Sequence, residues 1–289
     1  MENVRLKRKM ALADAFSALG LGCVAQMEAN MAGVQAGGAE SLHQMRVGLR
    51  RLRALLKMFE PLVAAPQNIQ KDLDWLAMEL GPVRDWDVLA GSTLKRVRGA
   101  DMSGLSEAAL ANAAKLHRAM LRALNSPRFK KLMLRLNRWI QERQWRDDLS
   151  KAGRAAMKKQ AAHGAMPLLK KAEKRLRKRI AALQPREAPA LHRVRIAAKK
   201  ARYGAEFFRD LLDKEKASQY IDSLSALQDR LGVLNDTAVA ARLLAELRHE
   251  RAQLGQAATF ALGYLAAEAE ASLEQLGKPL KAAAKLRMA

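Results

Sequence analysis

Apolar residues recur every three or four positions along most of the chain, which is the spacing that places them on one face of an α-helix. A clear example is the run Met45, Leu49, Leu52, Leu56 and Phe59. Ala, Leu, Lys, Arg and Glu dominate, β-branched residues are scarce, and no alternating apolar and polar run typical of a strand occurs. The pattern predicts an all-α protein.

Clusters of Gly, Pro and polar residues predict where these helices end. They fall at 33–38, 60–68, 80–82, 97–106, 125–127, 163–167, 184–189, 231–232 and 276–279. The intervals predict helices of roughly 14 to 30 residues, which suit helical bundles better than a solenoid of short repeats.

A long-period repeat divides the chain. "LHQMRVGLRRLRALLKMF" (42–59) returns as "LHRVRIAAKKARYGAEFF" (191–208), 149 positions later. "LAMELGPVRDWDVLA" (76–90) returns as "LQDRLGVLNDTAVAA" (227–241), 151 positions later, so the intervening loop differs by two residues. The repeat predicts one domain over 1–289 built from two equivalent helical halves, 1–148 and 149–289. A pseudo-twofold arrangement would bring the two copies face to face.

Each copy of the first block carries a line of cations on one helical face. At about 100° per residue, these side chains fall within an arc of roughly 80° that is about 21 Å long. The first stripe is His43, Arg46, Arg50, Arg53 and Lys57, and the second stripe is His192, Arg195, Lys199 and Arg202, with Tyr203 beside it. Residues 43–59 include no acid, whereas solvated helix faces usually mix both signs of charge. A solvated basic face remains the alternative, but its repetition favours an anion-binding surface.

The positions of the two histidines are a second indication of anion binding. Ser41 with Gln44 predicts a capping box, and Pro189 suits a first helical turn. His43 and His192 would then lie in the opening turns of their helices, where free backbone N–H groups attract anions. Two roles fit these histidines equally well: a contact to an anion, or capping and packing within the protein.

The composition narrows the range of possible ligands. The chain has 52 Lys and Arg against 29 Asp and Glu, a net charge of +23, which indicates a polyanionic partner. Nucleic acid, an anionic membrane and an inorganic polyanion all fit that charge. Aromatic residues make up only 4%, and base stacking requires aromatic side chains among the cations. The composition therefore favours a ligand that consists of phosphate alone, with nucleic acid as the second possibility.

The sequence disfavours a membrane-spanning protein, a metal-binding protein and an enzyme. No apolar run is long enough to span a membrane, and the single Cys23 fits a reducing compartment, so we expect a cytoplasmic protein. The pairs Glu40/His43 and Glu246/His249 resemble half of a di-metal site, but they do not occupy equivalent positions of the repeat. Neither a nucleophilic Cys–His signature nor a phosphate-binding glycine loop is present. We expect no catalysis, no metal and no cofactor.

The two repeated stretches, each followed by Leu-Gly-x3-Asp, resemble the signature regions of CHAD domains, the conserved histidine α-helical domains. The resemblance covers nearly the whole chain. It implies two four-helix bundles related by pseudo-twofold symmetry around a basic channel that binds inorganic polyphosphate, and association with polyphosphate granules. Carried over by position, it implies polyphosphate contacts by the residues of both stripes, with Arg51 and Lys200 as flanking candidates.

The sequence departs from an even repeat at a few points. Glu206 stands where the first copy has Lys57, so that end of the second stripe is expected to bind weakly or to pair internally. Asp85 and Asp236 are interpreted as groups that start a helix or orient the stripes. Some CHAD proteins carry a fused triphosphate-tunnel hydrolase domain with an ExExK motif; this sequence has none, and a stand-alone domain is expected.

Overall fold

The computed structural model describes residues 4–184 and 187–288, and that part of the chain is helical without any β-strand. The prediction of an all-α fold is confirmed. The helices are α1 (Leu12–Ala29), α2 (Met31–Gln35), α3 (Ala39–Phe59), α4 (Gln67–Val88), α5 (Leu94–Arg96), α6 (Ser103–Leu124), α7 (Pro127–Gln141), α8 (Lys151–Lys158), α9 (Ala161–Ala181), α10 (Ala188–Phe207), α11 (Lys214–Glu250), α12 (Gly255–Glu274) and α13 (Gly277–Lys285).

Three of the predicted helix ends are wrong. Helix α4 continues through Pro82, α9 contains Pro167, and the 37-residue α11 passes through Gly232 without interruption. A glycine inside a helix costs about 1 kcal/mol, which the packing of a long helix outweighs. Asp85 and Asp236 consequently lie inside helices and do not start them.

The predicted capping box at the start of α3 is also wrong. Gly38 is the N-cap and makes no side-chain capping bond, and the N–H of Leu42 already donates to the carbonyl of Gly38 at 3.0 Å. Ser41 and Gln44 therefore lie within the helix. His43 is its fifth residue, beyond the free N–H groups of the first turn.

Helix α10 begins in the same way. Pro189 lies in its first turn, as predicted, and the N–H of Leu191 donates to the carbonyl of Glu187 at 3.0 Å. His192 is thus also the fifth residue of its helix, and the two histidines keep equivalent positions.

The apolar side chains form two separate cores. The main core joins α1, α3, α7, α9 and α10 with the N-terminal parts of α4 and α11. The small core joins the C-terminal parts of α4 and α11 with α6 and α12, and it includes Trp86, Leu89, Leu105, Leu243 and Leu265. The long helices α4 and α11 therefore run from one core into the other.

Both cores draw residues from each side of the predicted division at 148 and 149. The N–H of Leu12 donates to the carbonyl of Lys159 at 2.8 Å, and the N–H of Ala161 donates to that of Met10 at 2.7 Å. Contacts thus cross the division extensively, and the two-half, pseudo-twofold organisation stays a prediction.

Candidate functional site

Helices α3 and α10, which carry the two stripes, pack against each other through their apolar faces. Leu52 and Phe208 are fully buried, and the rings of Phe59 and Phe208 lie 6.2 Å apart between their centroids. This packing fixes the rotation of both helices. It directs most of the cations of the two stripes into two adjoining cavities.

The central cavity, of about 450 Å³, lies where α3 and α10 meet α4 and α11. Leu89 and Ala240 of the small core form part of its wall. Its lining residues are His43, Arg46, Arg50, Arg84, Asp85, Val88, Leu89, Thr93, Arg195, Lys199, Asn235, Asp236, Val239, Ala240 and Leu243.

Most of this wall consists of residues that the repeat relates to one another. The offset of 149 pairs the cations of α3 with those of α10, and the offset of 151 pairs α4 with α11. The pairs are Arg46/Arg195, Arg50/Lys199, Arg84/Asn235, Asp85/Asp236, Val88/Val239 and Leu89/Ala240. Equivalent positions from the two copies therefore meet around one space.

The side cavity, of about 580 Å³, extends from the central cavity along the C-terminal half of α3. Arg50 and Lys199 line both cavities, so the two spaces adjoin at these residues. The other lining residues are Arg53, Ala54, Leu56, Lys57, Glu60, Ala65, Gln70, Leu73, Asp74, Ile196, Lys200 and Tyr203. Together the two walls hold eight lysines and arginines against four acids.

The cations of the central cavity are partly removed from water and repel one another. Burial, and then the charges of Arg195 and Arg50, lower the pKa of Lys199 to about 8. Burial also lowers the pKa of Arg46, and Arg50 adds to that effect while Asp85 opposes it. Crowding like charges in a partly buried space is unfavourable for the empty protein. The cavity is therefore suited to an anion that would neutralise them.

Two polar groups at the site are buried without a hydrogen-bond partner within residues 4–184 and 187–288. They are the Nε of Arg195 and the hydroxyl of Tyr203. The guanidinium of Arg50 lies 6.0 Å from the centre of the Tyr203 ring, which holds this cation beside the second stripe. Unpaired donors beside a cavity are groups that a bound oxyanion could satisfy.

Asp85 and Asp236 lie among these cations. Burial raises the pKa of Asp85, while Arg46 and Arg242 oppose that rise; the Nη2 of Arg242 is 3.8 Å from its Oδ2. Asp236 in turn acts on Arg195 and Lys199. Both aspartates thus lie close enough to the stripes to act on their charges, and their role as orienting groups stays a prediction.

The two histidines have different surroundings. His43 is half-buried and lines the central cavity, where burial and then the charge of Arg84 lower its pKa. The ring is therefore neutral at pH 7 and can donate from one nitrogen. His192 is exposed and lines neither cavity.

Besides His192, two other predicted contacts lie outside both cavities. Arg51 pairs with Glu206 at 3.1 Å and lies over the ring of Phe207, while Arg202 pairs with Glu206 at 3.1 Å and with Gln228 at 3.1 Å. The expected internal pairing of Glu206 is thus seen. Arg51 and Arg202 therefore form ion pairs with Glu206 and do not point into the cavities.

Pairs also occur within the side cavity, but they are more exposed. Arg53 pairs with Asp74 at 2.5 Å, and Lys57 pairs with Glu60 at 2.7 Å, and all four side chains are about half exposed. Exposed pairs of this kind contribute little to stability, so an anionic ligand can replace the carboxylates at small cost.

Arg84 and Asn235 are wall residues that the stripes alone did not indicate. They come from α4 and α11, and their approach to α3 and α10 depends on tertiary packing. The repeat contained a usable signal, because the offset of 151 makes these two polar residues equivalent.

The described part of the chain shows neither a metal-binding cluster nor a membrane-spanning helix. Within residues 4–184 and 187–288, no group of three or more His, Cys, Asp or Glu side chains could hold a metal ion. Among the helices described above, none is long and apolar enough to cross a membrane.

Comparison with known proteins places the chain in a family. A model of the CHAD domain matches residues 18–245. The crystal structure of the CHAD domain from the plant Ricinus communis superposes with a TM-score of 0.88 at 37% identity, covering 99% of this chain and 96% of that one. PptA from Streptomyces chartreusis shares the fold, with a TM-score of 0.67 at 17% identity, over 95% of this chain and 99% of that one. No curated protein matches. The family model and the plant structure together show that the chain belongs to the CHAD domain family.

Proposed function

We propose that this protein binds inorganic polyphosphate, without chemical conversion, in the central and side cavities between α3 and α10. The observation that carries the proposal is the position of Arg50 and Lys199. These equivalent residues of the two stripes line both cavities, so a chain of phosphates that passes from one space to the other contacts both of them.

Electrostatics supports a highly charged, slender ligand. The cations of the walls outnumber the acids, and burial makes their mutual repulsion costly until an anion arrives. A polyphosphate chain offers charged oxygens along its whole length and has no bulky groups. Charge-assisted hydrogen bonds to arginine and lysine are the strong contacts available to such oxygens.

The aromatic content of the site disfavours nucleic acid. Among the described residues that line these cavities, Tyr203 is the one Phe, Trp or Tyr, and it is only 4% exposed. A ring that is buried against neighbouring side chains offers no open face for a base to stack on. The site thus suits phosphate better than nucleotides.

The absence of chemical conversion is likewise proposed from the surroundings of the acids. Asp85 is engaged by Arg46 and Arg242, and Asp236 acts on Arg195 and Lys199, so both carboxylates are occupied by cations. A general base needs a carboxylate that is free to come within hydrogen-bond reach of the proton it removes. Binding without turnover would allow the protein to remain on polyphosphate granules.

The double variant R50A/K199A tests the proposal. Each charge-assisted contact is worth about 1.5–3 kcal/mol, so the loss of two should weaken polyphosphate binding by at least about 100-fold. Titration calorimetry with polyphosphate of defined length measures this change, and circular dichroism checks that the helices persist.

The matched control is K130A/R154A, which removes the same two charges from exposed positions on α7 and α8. It should weaken binding only slightly, through the overall charge. Equal affinity of the folded R50A/K199A variant and the wild type would refute the assignment of the site.

A further inference from the structure

The repeat allows the two ends of the α3–α10 contact to be compared residue by residue. Lys57 and Lys200 are equivalent to Glu206 and Arg51, at the constant offset of 149. The Lys57 corner is the place where Lys57 and Lys200 meet. The Glu206 corner is the equivalent place where Glu206 and Arg51 meet.

The Lys57 corner is open and cationic. Both lysines line the 580 Å³ side cavity. Lys200 is half-buried, and burial and then the charges of Arg175 and Lys57 lower its pKa, while Glu60 acts in the opposite direction. An anion leaving the central cavity meets Lys200 here, beside the exposed Lys57–Glu60 pair at 2.7 Å, whose carboxylate a ligand can replace at small cost.

The Glu206 corner is closed, and its two arginines share one carboxylate. Glu206 accepts from Arg51 at 3.1 Å and pairs with Arg202 at 3.1 Å. These side chains are only 15–26% exposed, and Arg51 is further covered by the Phe207 ring at 5.2 Å. The space left at this corner is about 40 Å³, and Leu19, Gly22 and Cys23 of α1 form its wall.

The N-terminal segment covers the same corner. Val4 lines the small space and lies against Gly22, where a Cβ would come within 2.6 Å of its Cγ2. The segment is held in place because the N–H of Leu6 donates to Asp210 at 2.9 Å and Arg8 donates to the carbonyl of Leu211 at 2.9 Å. The closure therefore combines an ion pair with packed chain.

We propose that Glu206 makes the polyphosphate path one-sided, so that the chain runs from the central cavity through the Lys57 corner while the equivalent Glu206 corner stays shut. This inference rests on the proposed function and specifies the path of the ligand within the site. A glutamate in place of a lysine makes the two sides different, because it pairs with Arg51 and Arg202 and so holds them in the closed corner beneath the N-terminal segment.

The test compares a short and a long ligand. Tripolyphosphate reaches the central cavity alone, whereas a long polyphosphate chain also reaches the corner. The variant Lys57→Glu should weaken long-chain binding about tenfold and tripolyphosphate binding by less than about twofold, since one charge-assisted contact is reversed only for the long chain. The control Lys130→Glu makes the same charge change on the exposed surface of α7.

Glu206 is tested by Glu206→Gln and Glu206→Lys. Both variants release Arg51 and Arg202, so long-chain affinity should rise at least about threefold while tripolyphosphate affinity changes little. Glu206→Gln keeps the shape of the side chain and serves if Glu206→Lys fails to fold. The double variant K57E/E206K keeps the wild-type net charge and should restore the preference for long chains through the other corner.

The outcomes separate the two proposals. If R50A/K199A abolishes binding but K57E behaves like K130E, or if neither Glu206 variant changes long-chain affinity, the one-sided path is refuted and the binding site stands. If the wild-type protein binds neither ligand, the proposed function fails and the path with it.

Discussion

Lys199 illustrates the cost of a cationic cavity at the scale of one residue. Its pKa of about 8 in the folded protein lies below its ordinary value of 10.5 because of burial and the charges of Arg195 and Arg50. The unfolded chain therefore binds more protons than the folded protein between about pH 8 and 10.5, and stability rises with pH across that window. Below pH 8 the charged Lys199 costs stability in full.

Replacing this lysine should therefore stabilise the empty protein. Lys199→Met removes the charge and keeps an unbranched side chain, so the free energy of unfolding at pH 7 should increase by up to about 1 kcal/mol, since solvent screens a charge that is only partly buried. The gain should shrink as the pH rises from about 8 to 10.5 and be largely lost at pH 10, because Lys199 loses its proton in the folded protein before it does so in the unfolded chain. Urea unfolding at pH 7 and pH 10 measures this gain in the free energy of unfolding.

The control for this comparison is Lys130→Met, which changes an exposed lysine on α7 and should leave stability nearly unchanged at both pH values. A Lys199→Met variant that is less stable than the wild type at pH 7 would contradict the repulsion described here. The same variant should bind polyphosphate more weakly, so stability and binding would change in opposite directions.

Cys23 shows that proximity to a cation does not by itself make a residue reactive. Burial raises the pKa of its thiol to about 11, although Arg51 acts in the opposite direction. The thiol is therefore protonated at neutral pH and a poor nucleophile. Its place is in the packing behind the Glu206 corner.

At the scale of the helices, the apolar faces of α3 and α10 position the cations. Leu52 and Phe208 are fully buried, and the pair Phe59–Phe208 joins the two helices. Leu52→Ala and Phe208→Ala should each destabilise the protein by about 3 kcal/mol or more, because each leaves a cavity in a close-packed core. Urea unfolding monitored by circular dichroism gives the values.

The matched control is Leu134→Ala on α7, whose side chain is 55% exposed and should contribute less than about 1 kcal/mol. Equal free energies of unfolding for Leu52→Ala and Leu134→Ala would contradict the burial of the apolar face of α3. Polyphosphate should raise the melting temperature of the core variants, because they keep the residues that line the cavities.

The helical pattern explains why much of this could be predicted. A period of 3.6 residues determines which side chains share a face, so the apolar faces and both stripes followed from the sequence. Leu56 is an informative exception, since it is half-buried and lines the side cavity. The ends of α4, α9 and α11 were wrong because local glycine and proline preferences were outweighed by packing along long helices.

The wall of the cavity was harder to predict than its cations. Arg84 and Asn235 reach the site only because α4 and α11 pack beside α3 and α10, and spacing within one helix does not specify such neighbours. Similarly, the sequence placed Arg51 next to Arg50, but its orientation away from the cavities depends on Glu206 of the other copy. Tertiary contacts thus divide the predicted cations into those that line the cavities and those that pair between the helices.

At the scale of the whole molecule, the charge of +23 attracts any polyanion, including DNA. The size of the cavity discriminates among polyanions, whereas the overall charge does not. The central cavity holds about 450 Å³ between packed helices. A DNA duplex is a rod whose major groove alone admits a whole α-helix, so it cannot enter such a space, whereas a single chain of phosphates can.

Competition at two salt concentrations distinguishes attraction from entry. Duplex DNA, matched to labelled polyphosphate in phosphate concentration, should displace little of it, and this displacement should fall steeply between 50 and 200 mM salt, a range over which about six phosphate contacts lose roughly 10³ in affinity. Polyphosphate held by partly buried cations should lose less, because burial reduces screening. R50A/K199A should weaken polyphosphate binding far more than DNA binding. Equal displacement by DNA at both salt concentrations would show that an open basic surface, and not the cavity, holds the ligand.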